Sequence, residues 1–146
     1  MRTPLSVLLK DKGGSTYSIK PQATGYDCAM KMNELGVGAL LVMDAEKLIG
    51  IISERDLIRK LLGTNKDPKV ATVAELMTKD PLTVLPSMTV QEAMKTITER
   101  RFRHLPVVEN GKLHGIISIG DLTRWVMLQQ EYEIAALTGY IQGETK

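Results

Sequence analysis

Gly50-Ile51-Ile52-Ser53-Glu54-Arg55-Asp56-Leu57 returns 65 positions later as Gly115-Ile116-Ile117-Ser118-Ile119-Gly120-Asp121-Leu122. Extending outward from this octet, residues Ser18 to Arg59 lie on Thr83 to Arg124 without a gap, and 14 of the 42 positions are identical. Pro21, Thr24, Leu40, Val42, Lys47 and Leu48 recur as Pro86, Thr89, Leu105, Val107, Lys112 and Leu113. A supersecondary unit is duplicated when one copy cannot bury its apolar face alone. The repeated polar atoms, a Ser and an Asp three residues apart behind an apolar strand, are the first place to look for function.

The length of 146 residues suits one domain built from two lobes with a shared core. A hydrophobic content of 43% and a charged content of 25% are those of an ordinary globular protein. The net charge of +2 gives no broad basic surface for DNA or an anionic membrane. Cys28 is the only cysteine, which excludes an internal disulfide and a thiolate metal cage. Met1-Arg2-Thr3-Pro4-Leu5-Ser6 carries no long apolar leader, and no apolar run is long enough to span a bilayer. The expected location is the cytoplasm, with no membrane partner.

Each copy reads as strand, helix, strand, strand, helix. In copy two, Leu82–Leu85 is a short β-rich run stopped by Pro86. Val90, Ala93, Met94 and Ile97 follow the spacing of an amphipathic helix. Phe102–Val108 is a strand, Glu109-Asn110-Gly111-Lys112 a hairpin turn, Leu113–Ile117 the return strand, and Asp121–Met127 opens a helix. Copy one follows suit: Ser18-Ile19, a helix from Tyr26 to Leu35 capped by Gly36, a strand from Gly38 to Met43, a turn at Asp44–Lys47, and Leu48–Ile52. Val73–Met77 is a short helix leading into copy two, with Ser6–Leu9 as its counterpart. The final helix runs through Trp125, Leu128 and Tyr132 and ends near Gly139. The domain limits are 7–62 and 73–128, with a linker at 63–72 and a C-terminal helix and tail at 129–146.

Ser53-x-x-Asp56 and Ser118-x-x-Asp121 have the form of a capping box, which any helix start can use. Thr24-x-x-Asp27 and Thr89-x-x-Glu92 share that form and serve as internal controls, read as caps alone. The Ser motifs differ in following Gly-Ile-Ile, which places the hydroxyl at a strand's carboxyl end, where α/β sheets bind ligands. Free N–H groups at the helix start favour phosphate, and an acidic side chain there can accept from ribose hydroxyls.

These motifs, with Phe102-Arg-His-Leu-Pro-Val-Val108, resemble those of cystathionine-β-synthase (CBS) domains, and the tandem pair resembles a Bateman module over about residues 7 to 127. The tail Leu137-Thr-Gly-Tyr-Ile-Gln-Gly143 is similar to that of small stand-alone CBS-pair proteins. The resemblance implies an α/β fold of two β-α-β-β-α repeats related by a pseudo-twofold, with small sheets packed against helices. It also implies two clefts that hold an adenosine ligand: AMP, ADP, ATP, NAD or S-adenosylmethionine. Asp56 and Asp121 would hold ribose while Ser53 and Ser118 face phosphate. Ser18, Ile19, Thr83 and Val84 of the first strands, with Gly38, Ala39, Arg103, His104, Leu105 and Pro106 of the second, would line the adenine and phosphate ends.

The copies differ where Gly38-Ala39 becomes Arg103-His104 and Glu54-Arg55 becomes Ile119-Gly120. Arg55, Arg103 and His104 could meet one phosphate, or the Arg100–His104 run could be a solvated helix end offsetting the dipole. The cleft with Asp121 and Arg103 is expected to be the tighter. A catalytic triad of His104, Ser118 and Asp121 has no Gly-x-Ser-x-Gly frame. Two histidines and one cysteine argue against zinc, His114 is read as structural, and Gly13-Gly14-Ser15 lacks a P-loop lysine. The reading is a non-enzymatic sensor of adenine nucleotides, AMP first, with no catalytic cofactor and no resident metal. It acts on an unidentified regulated protein, and apolar stripes at Leu57, Ile58, Leu61, Leu62 and at Leu122, Trp125, Val126, Leu128 predict a homodimer. The alternative is an RNA-binding protein that uses the Arg100–His104 cluster, against which the low net charge speaks.

Overall fold

The structure is a computed structural model that describes residues 2–13 and 16–144, with side chains through residue 139. Gly14 and Ser15, part of the loop without a P-loop lysine, lie outside the described residues, as do residue 1 and residues 145–146. The elements run α1 (Leu5–Lys12), β1 (Ser18–Ile19), α2 (Gly25–Leu35), β2 (Ala39–Asp44), β3 (Lys47–Ser53), α3 (Glu54–Asp56), α4 (Val73–Leu76), β4 (Thr78–Lys79), α5 (Val90–Arg100), β5 (His104–Glu109), β6 (Lys112–Ser118) and α6 (Ile119–Glu144). The chain after α3 continues as a π-helical stretch over Leu57–Leu62.

Each repeat is built on one antiparallel hairpin, β2–β3 or β5–β6. Their registers match pair for pair, from Ala39↔Ser53 and His104↔Ser118 at one end to Asp44↔Lys47 and Glu109↔Lys112 at the other. Both have an irregularity at the same place, Val42/Met43 and Val107/Val108. Asn110 (φ 52) and Gly111 (φ 74) both take positive φ, which is what a two-residue hairpin turn of the right twist needs. In repeat one, β1 runs parallel to β2 through Ser18↔Leu41 and Ile19↔Val42. In repeat two the equivalent run is reduced to a bridge between Val84 and Val107.

α2 and α5 start at Thr24 and Thr89, each with a reciprocal capping box to Asp27 or Glu92. α2 ends at Gly36 in the left-handed region (φ 67); Arg101 takes the same conformation (φ 58) after α5. That position therefore delays β5 until His104, two residues after the start expected from the apolar run. α6 also runs past Gly139 to Glu144.

The cores are not two contiguous stretches of chain. Val73 and Leu76 of α4, with Met77, pack with Cys28, Leu40, Val42 and Ile52 of repeat one. Leu5 and Leu8 of α1 pack with Val90, Ile97, Leu105, Val107 and Ile117 of repeat two. Each leading helix thus crosses to the other repeat. Backbone bonds fix the crossing: Leu5 N–H donates to Met88 O (2.8 Å) and Val73 N–H to Ala23 O (2.7 Å). The repeated glycines make room for it. A Cβ on Gly50 would stand 2.5 Å from Met77 Sδ and 2.9 Å from Thr78 O; one on Gly115 would stand 2.6 Å from Leu9 Cδ2.

Candidate functional site

The end of each hairpin nearest the repeated motif gathers the same set of groups. Ala39 pairs with Ser53 and His104 with Ser118. The helix start is docked on the neighbouring strand, because Glu54 N–H donates to Gly38 O and Ile119 N–H to Arg103 O, both at 2.9 Å. Ser53 Oγ accepts from Asp56 N–H (3.3 Å) and Ser118 Oγ from Asp121 N–H (3.1 Å). Each aspartate answers by accepting from its own Ser N–H at 2.9 Å. Two of the N–H groups at each helix start are thereby satisfied. Those of Arg55 and Gly120 lie between them and have no such partner among the described residues. Gly120 has open space beyond its Cα, a Cβ there meeting only Ser118 Oγ at 3.5 Å.

The structure thus brings Gly38, Ala39, Ser53, Arg55 and Asp56 together in repeat one, and Arg103, His104, Ser118 and Asp121 in repeat two. Ile19, Val84 and Leu105 are instead core residues, packed inside their own repeats. Ser18 pairs at Leu41, two positions along β2 from Ala39; Thr83 lies just before the Val84 bridge. Strand alternation sends Leu40 and Val42 into the first core. Leu41, fully buried yet outside both cores, points out of the opposite face, as does buried Pro106 at the equivalent position. Arg55 and Arg103 are exposed, and among the described residues neither guanidinium has a hydrogen-bond or ion-pair partner. A groove of about 690 Å³ with Ser18, Ile19, Lys20, Lys31 and Asp44 in its wall lies at the far end of β2, away from the motif.

Three residues that periodicity and motif reading did not single out complete the two aspartates. Lys12, at the end of crossed helix α1, reaches Asp121 Oδ2 at 2.8 Å and donates to Ile116 O at 3.0 Å. Lys60 reaches Asp56 Oδ1 at 3.1 Å from one turn further along and donates to Met77 O at 3.3 Å. Thr78, just beyond crossed helix α4, donates its hydroxyl to Asp56 Oδ1 at 3.3 Å. Both carboxylates are only 12% exposed. Only Lys60 carries a local signal, its i, i+4 spacing from Asp56. Lys12 and Thr78 arrive through the crossing, which no local pattern encodes.

The electrostatics follow from this geometry. Burial raises the Asp121 carboxyl, but the Lys12 ammonium and the Ser118 N–H outweigh it and hold the group below the usual carboxylate range. His104 is pushed below its ordinary value by burial first and then by Lys12, with Asp121 pulling the other way. Burial, helped by Asp56, pushes the Cys28 thiol up to about 11, which makes it a core residue rather than a nucleophile.

Two stretches of this chain, residues 14–63 and 73–128, match the model of the CBS domain. The chain belongs to the CBS-domain family, as a tandem pair. It is 36% identical to the CBS domain-containing protein CBSX3, mitochondrial, of Arabidopsis thaliana, over 97% of this chain and 73% of that one. A solved protein with CBS domains from Burkholderia ambifaria MC40-6 superposes with a TM-score of 0.84 at 41% identity, over 88% of this chain and 96% of the other. CBSX2, solved in complex with AMP, superposes with a TM-score of 0.73 at 28% identity, over 88% and 98%. The α/β architecture with small sheets against helices agrees with these neighbours. Among the described residues, no helix is long and apolar enough to cross a membrane.

Proposed function

We propose that the chain is a regulatory module that binds an adenosine nucleotide, AMP first, at the two Ser-x-x-Asp turns. It acts by binding rather than by turnover, and in trans on a partner protein in the cytoplasm. The observation that carries this reading is the duplication itself: two equivalent turns, each with a Ser hydroxyl, a shielded carboxylate and a bare N–H at a helix start. A carboxylate can accept from ribose hydroxyls and the N–H and hydroxyl can donate to phosphate. The AMP complex of the CBSX2 neighbour supports the same ligand class. A homodimer fits the exposure of Ile58 and Leu62 on one helix and of Met127, Tyr132, Ile134 and Leu137 on α6. Leu61 and Leu122 of the stripes read from sequence are in contrast buried within the chain.

A ligand acts on the partner through its different affinity for two arrangements of the repeats. Calorimetry with AMP, ADP, ATP, NAD and S-adenosylmethionine tests the reading. Micromolar affinity, about −8 kcal/mol, is expected for at least one. No heat and no thermal shift with any of the five would reject it.

A further inference from the structure

Each motif aspartate is met by a lysine, and the two lysines come from unrelated places. Lys60 lies one turn after Asp56 on the same helix. The equivalent position in repeat two is Trp125, half-buried against the second core. There the cation is supplied by Lys12, from the last residue of crossed helix α1. α4, the crossed helix of repeat one, stops at Leu76 and gives way to β4, so its side reaches Asp56 only with the Thr78 hydroxyl. Two different routes therefore deliver an ammonium to the same kind of carboxylate. In both, that ammonium also donates to a backbone carbonyl, Ile116 O or Met77 O.

We infer that Lys12 and Lys60 are the specificity-determining cations of the two clefts, resting on the ribose-accepting aspartates when no ligand is bound and transferring to the ligand's phosphate when ribose arrives. This rests on the proposed nucleotide-binding function. A carboxylate has about four acceptor positions in all. Asp56 uses them on Ser53 N–H, the Ser53 hydroxyl, the Thr78 hydroxyl and Lys60. Asp121 holds Ser118 N–H, Lys12 and, at 3.4 Å, Arg124. The two ribose hydroxyls can reach Asp56 only by displacing two of the Ser53 hydroxyl, the Thr78 hydroxyl and Lys60, whereas at Asp121 one acceptor position is left and only the second hydroxyl must displace Lys12 or Arg124.

A displaced ammonium can be taken up by water or by an anion beside the helix start, and a charge-assisted bond to an anion is the stronger of the two. The phosphate of a nucleotide supplies that anion, and a nucleoside does not. Lys is suited to the exchange because its flexible four-carbon stem carries a compact point charge. Its side chain stays 29% exposed at Lys12 and 43% at Lys60, so both heads sit where they can swing. The clefts should therefore select nucleoside phosphates over nucleosides, and the cleft at Asp56 should show the larger displacement cost.

The test is calorimetric titration of AMP and of adenosine into the full chain, its Lys12→Gln and Lys60→Gln variants and the double variant, with thermal melts to confirm folding. The unmodified chain should prefer AMP to adenosine by at least about ten-fold, the scale of one charge-assisted hydrogen bond. Each single variant should lose that preference in one of two binding steps, and the double variant in both, with adenosine affinity unchanged or raised. AMP binding with the AMP-to-adenosine ratio unchanged in the variants overturns the lysine assignment and leaves the nucleotide reading standing. No binding of AMP or adenosine by any form overturns both. A variant that melts early is replaced by Lys→Met, which keeps the apolar stem and removes only the charge.

Discussion

Asp56 and Asp121 hold the same place in the repeat, with the same Ser three residues before and the same backbone bonds, yet they are held differently. Asp56 is surrounded by groups of its own half and by the Thr78 hydroxyl from α4's side of the chain. Asp121 is held by Lys12, which comes from the far end of the sequence. Around it, the second strand offers Arg103 and His104 where repeat one has Gly38 and Ala39. Glu54 folds over Gly38, its Oε1 only 3.2 Å from where a Cβ would stand, so repeat one places an acid where repeat two places bases. The lesson is that duplication fixed the backbone of the turn, while substitutions at the second strand and the helix start, together with Lys12 from a crossed helix, made its surroundings unequal in charge.

The largest expected effects test the crossing. Leu5→Ala and Leu76→Ala each empty a fully buried position and should cost about 2–5 kcal/mol of stability. Hydrogen exchange distinguishes them: Leu5→Ala should loosen β5–β6, and Leu76→Ala should loosen β2–β3. Loosening of the repeat that follows each helix in sequence would break the crossed description.

Next come the glycines. Gly50→Ala drives a methyl into Met77 and the Thr78 carbonyl and should cost about 1–3 kcal/mol in thermal or denaturant unfolding. Gly115→Ala meets the end of the Leu9 side chain, which can turn aside, but Gly115 takes φ 157, where an L side chain is strained, so it should cost a comparable amount. A far smaller cost at Gly115 would mean that β6 relaxes there to a φ that an L residue accepts.

Asp121→Ala should weaken nucleotide binding by about 1.5–3 kcal/mol, the range for hydrogen bonds to a charged group. Asp56→Ala should weaken it less, because Asp56 has no free acceptor position to offer. Thr89→Ala removes a capping bond away from the clefts and should cost about 1 kcal/mol of stability with affinity kept.

The smallest effect is in pH. The folded chain holds the His104 value below that of the unfolded chain, so the unfolded state takes up the proton first as pH falls. The contribution of His104 is complete above about pH 6.5 and is lost as pH drops towards its folded value. Asp121 repeats the pattern at lower pH: its stabilising contribution is present above the usual carboxylate range and is lost on acidification through its depressed value. His104→Gln should flatten the stability profile just below about pH 6.5, and Lys12→Gln, by removing a cation that lowers His104, should bring its folded value nearer the unfolded one and make that loss smaller. Ala39 stands at the equivalent place in repeat one, so the effect belongs to repeat two alone.

Much of this was legible in the sequence. The octet repeat located both hairpins, both helix starts and the tandem architecture, because side-chain period and turn chemistry are local. Asn110-Gly111 and Gly36 are legible for the same reason, and both take the positive φ that their positions require. The Thr24 and Thr89 controls turn out to be capping boxes, and so do the Ser motifs. Capping therefore does not separate a site from a cap. What distinguishes the Ser turns from the Thr caps is their surroundings, a lysine on each shielded aspartate, Asp56 and Asp121, set against exposed Asp27 and Glu92. Those surroundings were invisible because the bonds that place α1 and α4 are out of step with the 65-residue repeat: Leu5 matches Val73 in its bonding to the other repeat. A gapless alignment conceals such a shift, and long-range crossing leaves no periodic trace. Ile19, Val84 and Leu105 illustrate a related limit, since an apolar strand residue next to a cleft can equally face the core behind it.

The most direct test of the central claim is a crystal structure of the full chain with AMP. The expected result is ribose on Asp121, with Lys12 turned from the carboxylate to the phosphate and the phosphate near Ser118 and the Gly120 N–H. AMP seated elsewhere, such as the groove between Lys20 and Lys31, with the Lys12–Asp121 pair intact, would contradict the claim that the repeated Ser-x-x-Asp turn is the binding site.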